Sequence, residues 1–429
     1  MPASTARALD ELSDLYVRGR DDPEVRFRMR LTERIGLEPV VGELTALATR
    51  SMFSNGPRAN ELAELLLEDS ELAVFGSRDG ELDPYLSGWG IGHRVQQGLL
   101  AGNLLSGALA QCMIRGLPDD QPTVRSLLDE AVDDLKRAVN GDAVTDYVGY
   151  GFTGVDLRRD VELVTPWGIL RKAPQVDEER WLGHHGLRST ALFEARHSST
   201  VQLSRDPSPD WNASEDDAAT RRALQKGVRE LFPVACALGS SNGDLAAPAL
   251  MWETHLVSFH APTGYSSPLM ALSPLRCPDI SDRVSEIESW ANVIQVEHSP
   301  KVDIAVSRLV SALSRRSDPA DSLIDAVTAW ENLVRTSTET TFRVTVALAR
   351  LLEPQPEQRL AYRKRLGRVY DRRSRVVHGE SVAQDEIAAA ADEAMAVAVQ
   401  ALQASYRRGH AWLNLSSQAR SDQLLLADG

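Results

Sequence analysis

Apolar residues recur three and four positions apart over much of the first 145 residues, which is the spacing of a helix with one buried face. The segments RANELAELLLEDSELAVF and SLLDEAVDDLKRAV show this period clearly. The longest apolar run, residues 98–114, is interrupted by Asn103, Ser106 and Gln111 and is shorter than the roughly 20 residues that a membrane span needs. We therefore predict a mostly helical region over residues 1–145, with a buried helix and no membrane span at 98–114.

The pattern changes near residue 146, where short runs of β-branched and aromatic residues are interrupted by Gly and Pro. The segments DYVGYGFTGVDLRRDVELVTPWGILRKAP, TALFEARHSSTVQL and PALMWETHLVSFHAP share this composition, which favours strands. The glycines of GYGFTG, residues 149–154, lack the Lys-Ser/Thr pair of a phosphate-binding loop, so we interpret this segment as a turn. The sequence thus predicts a β-containing region over residues 146–279.

Helical periodicity returns from about residue 280 and is more regular there. One apolar stripe at helical spacing, in DPADSLIDAVTAWENLV, consists of Leu323, Val327, Trp330 and Val334. Successive helices joined by short loops predict an all-α bundle over residues 280–412, followed by a tail over residues 413–429. The chain as a whole is then predicted to belong to the α+β class.

The capping residues indicate where two helices of this bundle meet. One long helix is expected to start near Pro356 and to run to His378, with Gly379 as its C-terminal cap. The next helix is predicted to open with Ser381 and Gln384, which have the spacing of a capping box. His378 is therefore expected at a helix C-terminus.

The composition limits where the chain works and what it binds. It carries 47 Lys and Arg against 61 Asp and Glu, a net charge of −14, which argues against nucleic-acid binding over its whole surface. Its cysteines, Cys112, Cys236 and Cys277, are far apart, as expected of thiols in a reducing compartment. The opening residues MPASTARALDEL lack the charged-then-apolar pattern of a signal peptide. We predict a cytoplasmic protein.

One stretch departs from this acidic character, because residues 359–375 hold eight Lys and Arg and a single acid, Asp371. On a helix such a run either tracks phosphates or pairs with the carboxylates of the chain, and charge alone favours the second interpretation. Arg373 is a permanent cation able to stabilise charge on a phosphate, and His378 belongs to the residue type suited to acid–base chemistry near neutral pH. Residues five apart on an ideal helix point about 140° from each other. A site using both residues therefore needs a frayed last turn or groups from a second chain.

The segment VYDRRSRVVHGE resembles the signature of Apea-like HEPN domains, in which a Tyr, an Arg-Ser pair and a His-Gly pair end one long helix. The upstream segments AVSRLVSALSRRSDPADSLIDAVTAWENLV and TTFRVTVALARLL are similar to the helix pair that precedes this signature. The resemblance covers about residues 285–410. The chain has Trp330 where the family usually has a smaller apolar residue, a departure that bears on packing more than on chemistry.

The resemblance implies a C-terminal HEPN helical bundle and roles for five of its residues. Arg373 and His378 take the two catalytic positions of the RxxxxH motif. Ser374, Tyr370 and Glu331 take supporting positions, the last of them an acidic position in the second helix of the bundle.

Many HEPN domains are metal-independent ribonucleases of toxin–antitoxin, abortive-infection and antiviral systems, and their motif residues meet across a symmetric dimer. The resemblance implies that the RNA 2′-hydroxyl attacks its own phosphodiester and leaves a 2′,3′-cyclic phosphate and a 5′-hydroxyl. It implies no cofactor, and its expected partners are RNA (tRNA among the candidates), a second copy of the chain, and an antitoxin or phage-derived trigger. The predicted contacts to flanking RNA phosphates are Arg365, Arg368, Arg372 and Arg375.

Two other functions remain open at this stage. The bundle is alternatively a non-catalytic RNA-binding and dimerisation module, or a scaffold for an activity in the first two-thirds of the chain. A metal site is suggested by five other histidines, His184, His185, His197, His255 and His260. No carboxylate or cysteine stands beside them at ligand spacing, so we predict no metal site.

Overall fold

Helices predominate in the computed structural model and are accompanied by two small sheets, which gives the α+β class predicted from the sequence. The structure describes residues 1–20, 57–76, 81–88, 91–118, 120–173, 189–205, 215–240, 245–259, 263–266, 277–335 and 340–426.

Internal contacts divide the chain into two compact units. Unit 1 comprises residues 1–151, 173–224 and 251–267. Unit 2 comprises residues 152–172, 225–250 and 268–429. Each unit is thus assembled from separate stretches of chain, whereas three consecutive regions and a C-terminal tail were predicted from the sequence.

Unit 1 contains a group of helices around an apolar core. Its helices are α1 (Ala3–Arg20), α2 (Pro57–Leu67), α3 (Leu100–Ile114), α4 (Gln121–Val139) and α5 (Glu215–Lys226). The apolar run at 98–114 forms α3, and most of its side chains are buried, as predicted. Within the described helices, none combines the length and the apolar character that crossing a membrane requires.

The strands of unit 1 form one complete sheet and part of another. The strands are β1 (Tyr85–Gly88), β2 (Ile91–Arg94), β3 (Ala143–Thr153), β6 (Ala191–Thr200), β7 (Gln202–Ser204), β8 (Ala249–Val257) and β9 (Thr263–Ser266). The first sheet has the antiparallel order β2-β1-β7, and the second contains the order β6-β3-β8-β9. The two short strands β1 and β2 lie in the region that was predicted to be mostly helical.

The GYGFTG segment does not form the predicted turn, because most of it lies inside strand β3. A Cβ atom at Gly151 would approach the Trp252 indole of strand β8 to 2.1 Å. This glycine is therefore required by the packing of a neighbouring side chain and not by chain reversal.

Unit 2 consists of one hairpin and a helical bundle. Strands β4 (Glu162–Thr165) and β5 (Gly168–Lys172) pair antiparallel. The helices are α6 (Phe232–Leu238), α7 (Val284–Glu297), α8 (Asp303–Val310), α9 (Pro319–Val334), α10 (Thr340–Leu352), α11 (Pro356–Val377), α12 (Gln384–Arg407), α13 (His410–Leu413) and α14 (Ser417–Leu426). The helices predicted between residues 300 and 410 are all present.

The core of the bundle lies between α9 and α12. The apolar stripe predicted on α9 is confirmed, since Leu323, Val327, Trp330 and Val334 are all fully buried. Five of the buried residues of α12 are alanines, namely Ala390, Ala391, Ala394, Ala398 and Ala401. The Trp330 indole N–H donates to the carbonyl of Ala394 at 3.0 Å, which satisfies its only polar group. Small side chains on α12 thus leave room for the large one on α9.

The helix ends differ from the sequence prediction in two places. Helix α12 starts at Gln384 with Ala383 as its N-cap, and no side chain caps it. The predicted capping box is wrong because Ser381 lies before the N-cap position and cannot reach the first free amides. Residues 417–426, which were predicted to belong to a tail, form helix α14.

Helix α14 is held by Arg420, whose side chain is fully buried. Its guanidinium lies 5.6 Å from the Trp412 ring centre and donates to four backbone carbonyls at 2.7–3.0 Å. These carbonyls belong to Asn332, Leu333, Leu413 and Leu415. Burial lowers the pKa of Arg420 to about 10, so the side chain is charged at neutral pH. One cation therefore satisfies the carbonyls at the ends of α9 and α13.

We expect the substitution Arg420→Met to lower the free energy of unfolding of unit 2 by about 3 kcal/mol or more, because four buried carbonyls lose their donors. Arg420→Lys keeps the charge but has fewer N–H donors. Its free energy of unfolding should therefore lie between those of the wild type and the methionine variant. Differential scanning calorimetry of the three full-length proteins measures the effect. A methionine variant that unfolds at the wild-type temperature would show that these hydrogen bonds contribute nothing net.

Candidate active site

The RxxxxH residues lie at the C-terminal end of α11, whose last turn is regular. The amide of Gly379 donates to the Val376 carbonyl at 3.1 Å and that of Glu380 to the Arg375 carbonyl at 2.9 Å. These two bonds form a Schellman motif, with Gly379 at a positive φ of 73° as the sequence predicted. His378 is the C-cap residue, and its amide donates to the Ser374 carbonyl at 3.0 Å. The helix end that carries His378 is therefore not frayed.

His378 is exposed, and its ring makes no hydrogen bond or ion pair with any other described residue. Arg373 lies one and a half turns earlier and is half-buried, with an Nε atom that is shielded from solvent and has no acceptor in the described part of the chain. Because the helix stays regular between them, their side chains diverge by about 140°. Ser374 is half-buried on the face of His378.

Buried Tyr370 and half-buried Glu331 form a hydrogen-bonded pair near Arg373. The Tyr370 hydroxyl donates a short hydrogen bond to the Glu331 carboxylate of α9. Burial raises the pKa of Tyr370 and the hydrogen bond to Glu331 raises it further, so the phenol keeps its proton at neutral pH. The charge of Arg373 is close enough to oppose this rise. The structure thus brings together Tyr370, Glu331 and Arg373, while His378 faces solvent.

Three of the four arginines that were predicted to contact phosphates have carboxylate partners in the chain. Arg365 pairs closely with Glu393 of α12. Arg372 lies 3.4 Å from Glu386, also on α12. Arg375 lies 3.0 Å from Glu380 in the turn that follows α11. Much of the basic face is therefore neutralised by carboxylates of the chain itself.

Two exposed cations of this helix have no carboxylate partner in the described part of the chain. Lys364 and Arg368 are one turn apart, and neither meets a carboxylate among the residues that the structure describes. An external phosphate can therefore reach these two side chains without displacing an internal carboxylate.

The structure also groups two of the histidines that were considered as metal ligands. His197 and His255 lie near Asp146, whose Oδ2 atom is 3.5 Å from His197 Nε2 and 3.7 Å from His255 Nδ1. Over the described ranges, no group of three or more His, Cys, Asp or Glu is arranged to hold a metal ion. His184, His185 and His260 lie outside the described residues.

Sequence reasoning missed the partners of these two histidines. Asp146, Arg221 and Glu253 are buried close to these two histidines. Asp146 and Arg221 lie on elements other than those that carry the histidines, and each is more than 30 residues from His255 along the chain, so the sequence does not show the contact. The available signal was weak: Glu253 and His255 alternate in a strand-like segment and so share one face of it.

Comparison with protein-family models, with curated proteins and with solved structures finds no match for this chain. The site is therefore interpreted from its own residues and from the resemblance of its motif.

We expect Tyr370→Phe to destabilise unit 2 by about 1–2 kcal/mol, because it removes a hydrogen bond to a charged group. Glu331→Gln retains an acceptor and should cost less. Tyr362→Phe is a matched control on the same helix, since no described residue accepts a hydrogen bond from its hydroxyl. Calorimetric unfolding temperatures compare the three variants. Equal losses for Tyr370→Phe and Tyr362→Phe would contradict a specific role for the Glu331 contact.

Proposed function

We propose that this protein is a HEPN-type, metal-independent endoribonuclease that acts as a homodimer. The observation that carries the proposal is the placement of the motif at the end of α11. Arg373 lies beside the Tyr370–Glu331 pair, and His378 is exposed at a rigid helix terminus with a free ring. A permanent cation can stabilise the charge that develops on phosphorus, and an exposed imidazole can transfer the proton, without a metal ion.

The requirement for a dimer follows from the direction of the two side chains. The last turn of α11 is regular, so Arg373 and His378 of one chain do not converge on a single phosphate. A second copy related by a two-fold axis supplies the missing group, because each chain then gives its arginine to one site and its histidine to another.

The exposed face of α11 is suited to such an approach. Leu360, Gly367 and His378 share one face of the helix at spacings of 7 and 11 residues, and Leu360 is 59% exposed. A Cβ atom at Gly367 would meet nothing within 4 Å. A glycine inside a helix costs about 1 kcal/mol relative to alanine. The proposed dimer contact would account for this glycine, because the absence of a side chain lets a second backbone approach α11 closely.

In the proposed reaction, the RNA 2′-hydroxyl oxygen attacks the adjacent phosphorus and the bond to the 5′-oxygen breaks. The products are a 2′,3′-cyclic phosphate and a 5′-hydroxyl. His378 accepts the 2′-hydroxyl proton or protonates the leaving oxygen. Arg373 stabilises the additional negative charge of the phosphorane by bidentate hydrogen bonds. Ser374 lies on the same face as the histidine, and the Tyr370–Glu331 pair lies near the arginine.

Recognition of flanking phosphates is assigned first to Lys364 and Arg368, which have no internal carboxylate partner in the described structure. The other three arginines can bind RNA only when its phosphates displace their carboxylate partners. These pairs are Arg365 with Glu393, Arg372 with Glu386 and Arg375 with Glu380. RNA binding should therefore be weak at high salt.

In the cell, we propose that this protein is a cytoplasmic effector of antiphage or toxin–antitoxin defence, with an antitoxin or a phage-derived trigger as its regulator. The support for this context is the resemblance of the motif alone.

We expect the purified protein to cleave total RNA or tRNA in the presence of EDTA and to leave 2′,3′-cyclic phosphate ends. His378→Ala should lower the cleavage rate by a factor of about 10² or more, because an acid–base group is lost. His410→Ala is a matched control, since it removes another exposed histidine of unit 2. Cleavage that survives in His378→Ala would overturn the proposal. Binding without cleavage would favour the non-catalytic module.

The dimeric site predicts complementation between two inactive variants. Arg373→Ala and His378→Ala proteins should each be inactive but regain about a quarter of wild-type activity when mixed and allowed to exchange subunits, because half the dimers are mixed and hold one intact site of two. The same mixture should remain inactive if each chain works alone. Cleavage of labelled RNA at increasing mixing times measures the recovery.

A further inference from the structure

A second arginine lies at the candidate active site, and the RxxxxH motif does not include it. Arg335 is the C-cap residue of α9, one turn after Glu331. Glu331 accepts the hydrogen bond of Tyr370, so the end of α9 is held against α11 near Arg373. Burial and the bond to α9 raise the pKa of Tyr370, and the charges of Arg373 and Arg335 oppose this rise. Two guanidinium groups therefore lie close enough to act on one hydroxyl.

The usual reasons for an arginine at a helix end do not account for Arg335. Such a side chain binds the last carbonyls of its helix or pairs with an acid one turn earlier. The last carbonyls of α9 instead accept from the buried Arg420. The acid one turn earlier, Glu331, accepts from Tyr370. Within the described part of the chain, Arg335 makes no hydrogen bond or ion pair, and it is exposed.

The end of α9 meets α11 between the two motif residues. At about 100° per residue, Tyr370 lies about 60° from Arg373 and about 80° from His378 around the helix, on the arc that separates them. The hydrogen bond between Tyr370 and Glu331 sets α9 on that arc. A phosphate bound beside Arg373 on this side of α11 is therefore within reach of the exposed arginine that ends α9.

The charges of this group favour an anion. Arg373 and Arg335 are two permanent cations, and neither forms an ion pair among the described residues, whereas Glu331 is the single carboxylate beside them. The paired arginines of the basic face differ, because each of them already has its own carboxylate. Two neighbouring guanidinium groups repel each other, and a phosphate that binds both removes this cost.

We propose that Arg335 is a second phosphate-binding residue of the candidate site and that it holds, together with Arg373, one phosphodiester of the RNA. This inference rests on the proposed ribonuclease function and adds a cation to its site. Arg335 transfers no proton, so the histidine of a second copy is still required. The phosphorane carries more negative charge than the phosphodiester, so the second arginine favours cleavage as well as binding.

Binding of a fluorescent single-stranded RNA in which every 2′-hydroxyl is methylated tests the contact apart from cleavage, because this RNA has no nucleophile. Full-length Arg335→Gln should bind it about tenfold more weakly than the wild type. The slope of log Kd against log salt concentration should become shallower by about 0.7, the value for one phosphate contact on a single strand. Arg335→Lys keeps the charge without the bidentate geometry and should retain part of the affinity.

Lys301→Gln is the matched control, because it removes another exposed cation of unit 2 and should leave the affinity and the salt dependence unchanged. Arg335→Gln should unfold at the wild-type temperature, since its side chain is exposed and bonded to no described residue. Weaker binding by this variant then reports a lost contact with RNA and not a loss of fold.

Cleavage of unmodified RNA by the same proteins separates this inference from the proposed function. We expect Arg335→Gln to lower kcat by about tenfold in addition to its effect on binding. A wild type that binds the methylated RNA but cleaves no RNA would overturn the ribonuclease and leave Arg335 as a phosphate contact. An Arg335→Gln protein that binds and cleaves like Lys301→Gln would overturn the inference alone. A wild type that binds no RNA would overturn both.

Discussion

The packing of Trp330 against the alanine-lined side of α12 is the contact on which unit 2 depends. A side chain of this size is buried without strain only where the facing helix has small residues, and Ala394 also accepts its indole proton. This contact anchors α9 in the core of unit 2, and other side chains and carbonyls of α9 hold further parts of the bundle. Asp325 pairs with Arg308 and Arg316, and the helix end gives its carbonyls to Arg420.

The proposed site uses the same rigidity. Glu331 follows Trp330 directly and holds the hydroxyl of Tyr370, so the end of α11 is attached to the core of the bundle. Arg373 lies near this pair, whereas His378 is the C-cap residue of α11 and faces solvent. Each chain thus presents one half-buried cation and one exposed imidazole, and the proposed two-fold dimer is what would bring the two together.

Each unit contains buried charge, but the compensation differs. Among the described residues no carboxylate pairs with Arg420, and its guanidinium is surrounded by backbone carbonyls at helix ends, which suits a side chain that is charged at neutral pH. In unit 1, Asp146, Arg221, Glu253 and His255 are buried together, and His255 Nε2 lies 2.9 Å from Glu253 Oε1. The buried charges of unit 1 are thus grouped as side chains, whereas that of Arg420 is surrounded by backbone carbonyls.

The sequence by itself determined the features that arise within a few residues of one another. The helices between residues 300 and 410, the buried stripe through Trp330 and the cap at Gly379 follow from periodicity and backbone conformation, and all three were predicted. Contacts between distant residues required the tertiary structure. It decided that three of the four arginines expected to contact phosphates pair with acids of the chain, that Gly151 serves packing, and that His255 lies near two carboxylates. Local patterns encode which face is apolar, but not which distant side chain will meet it.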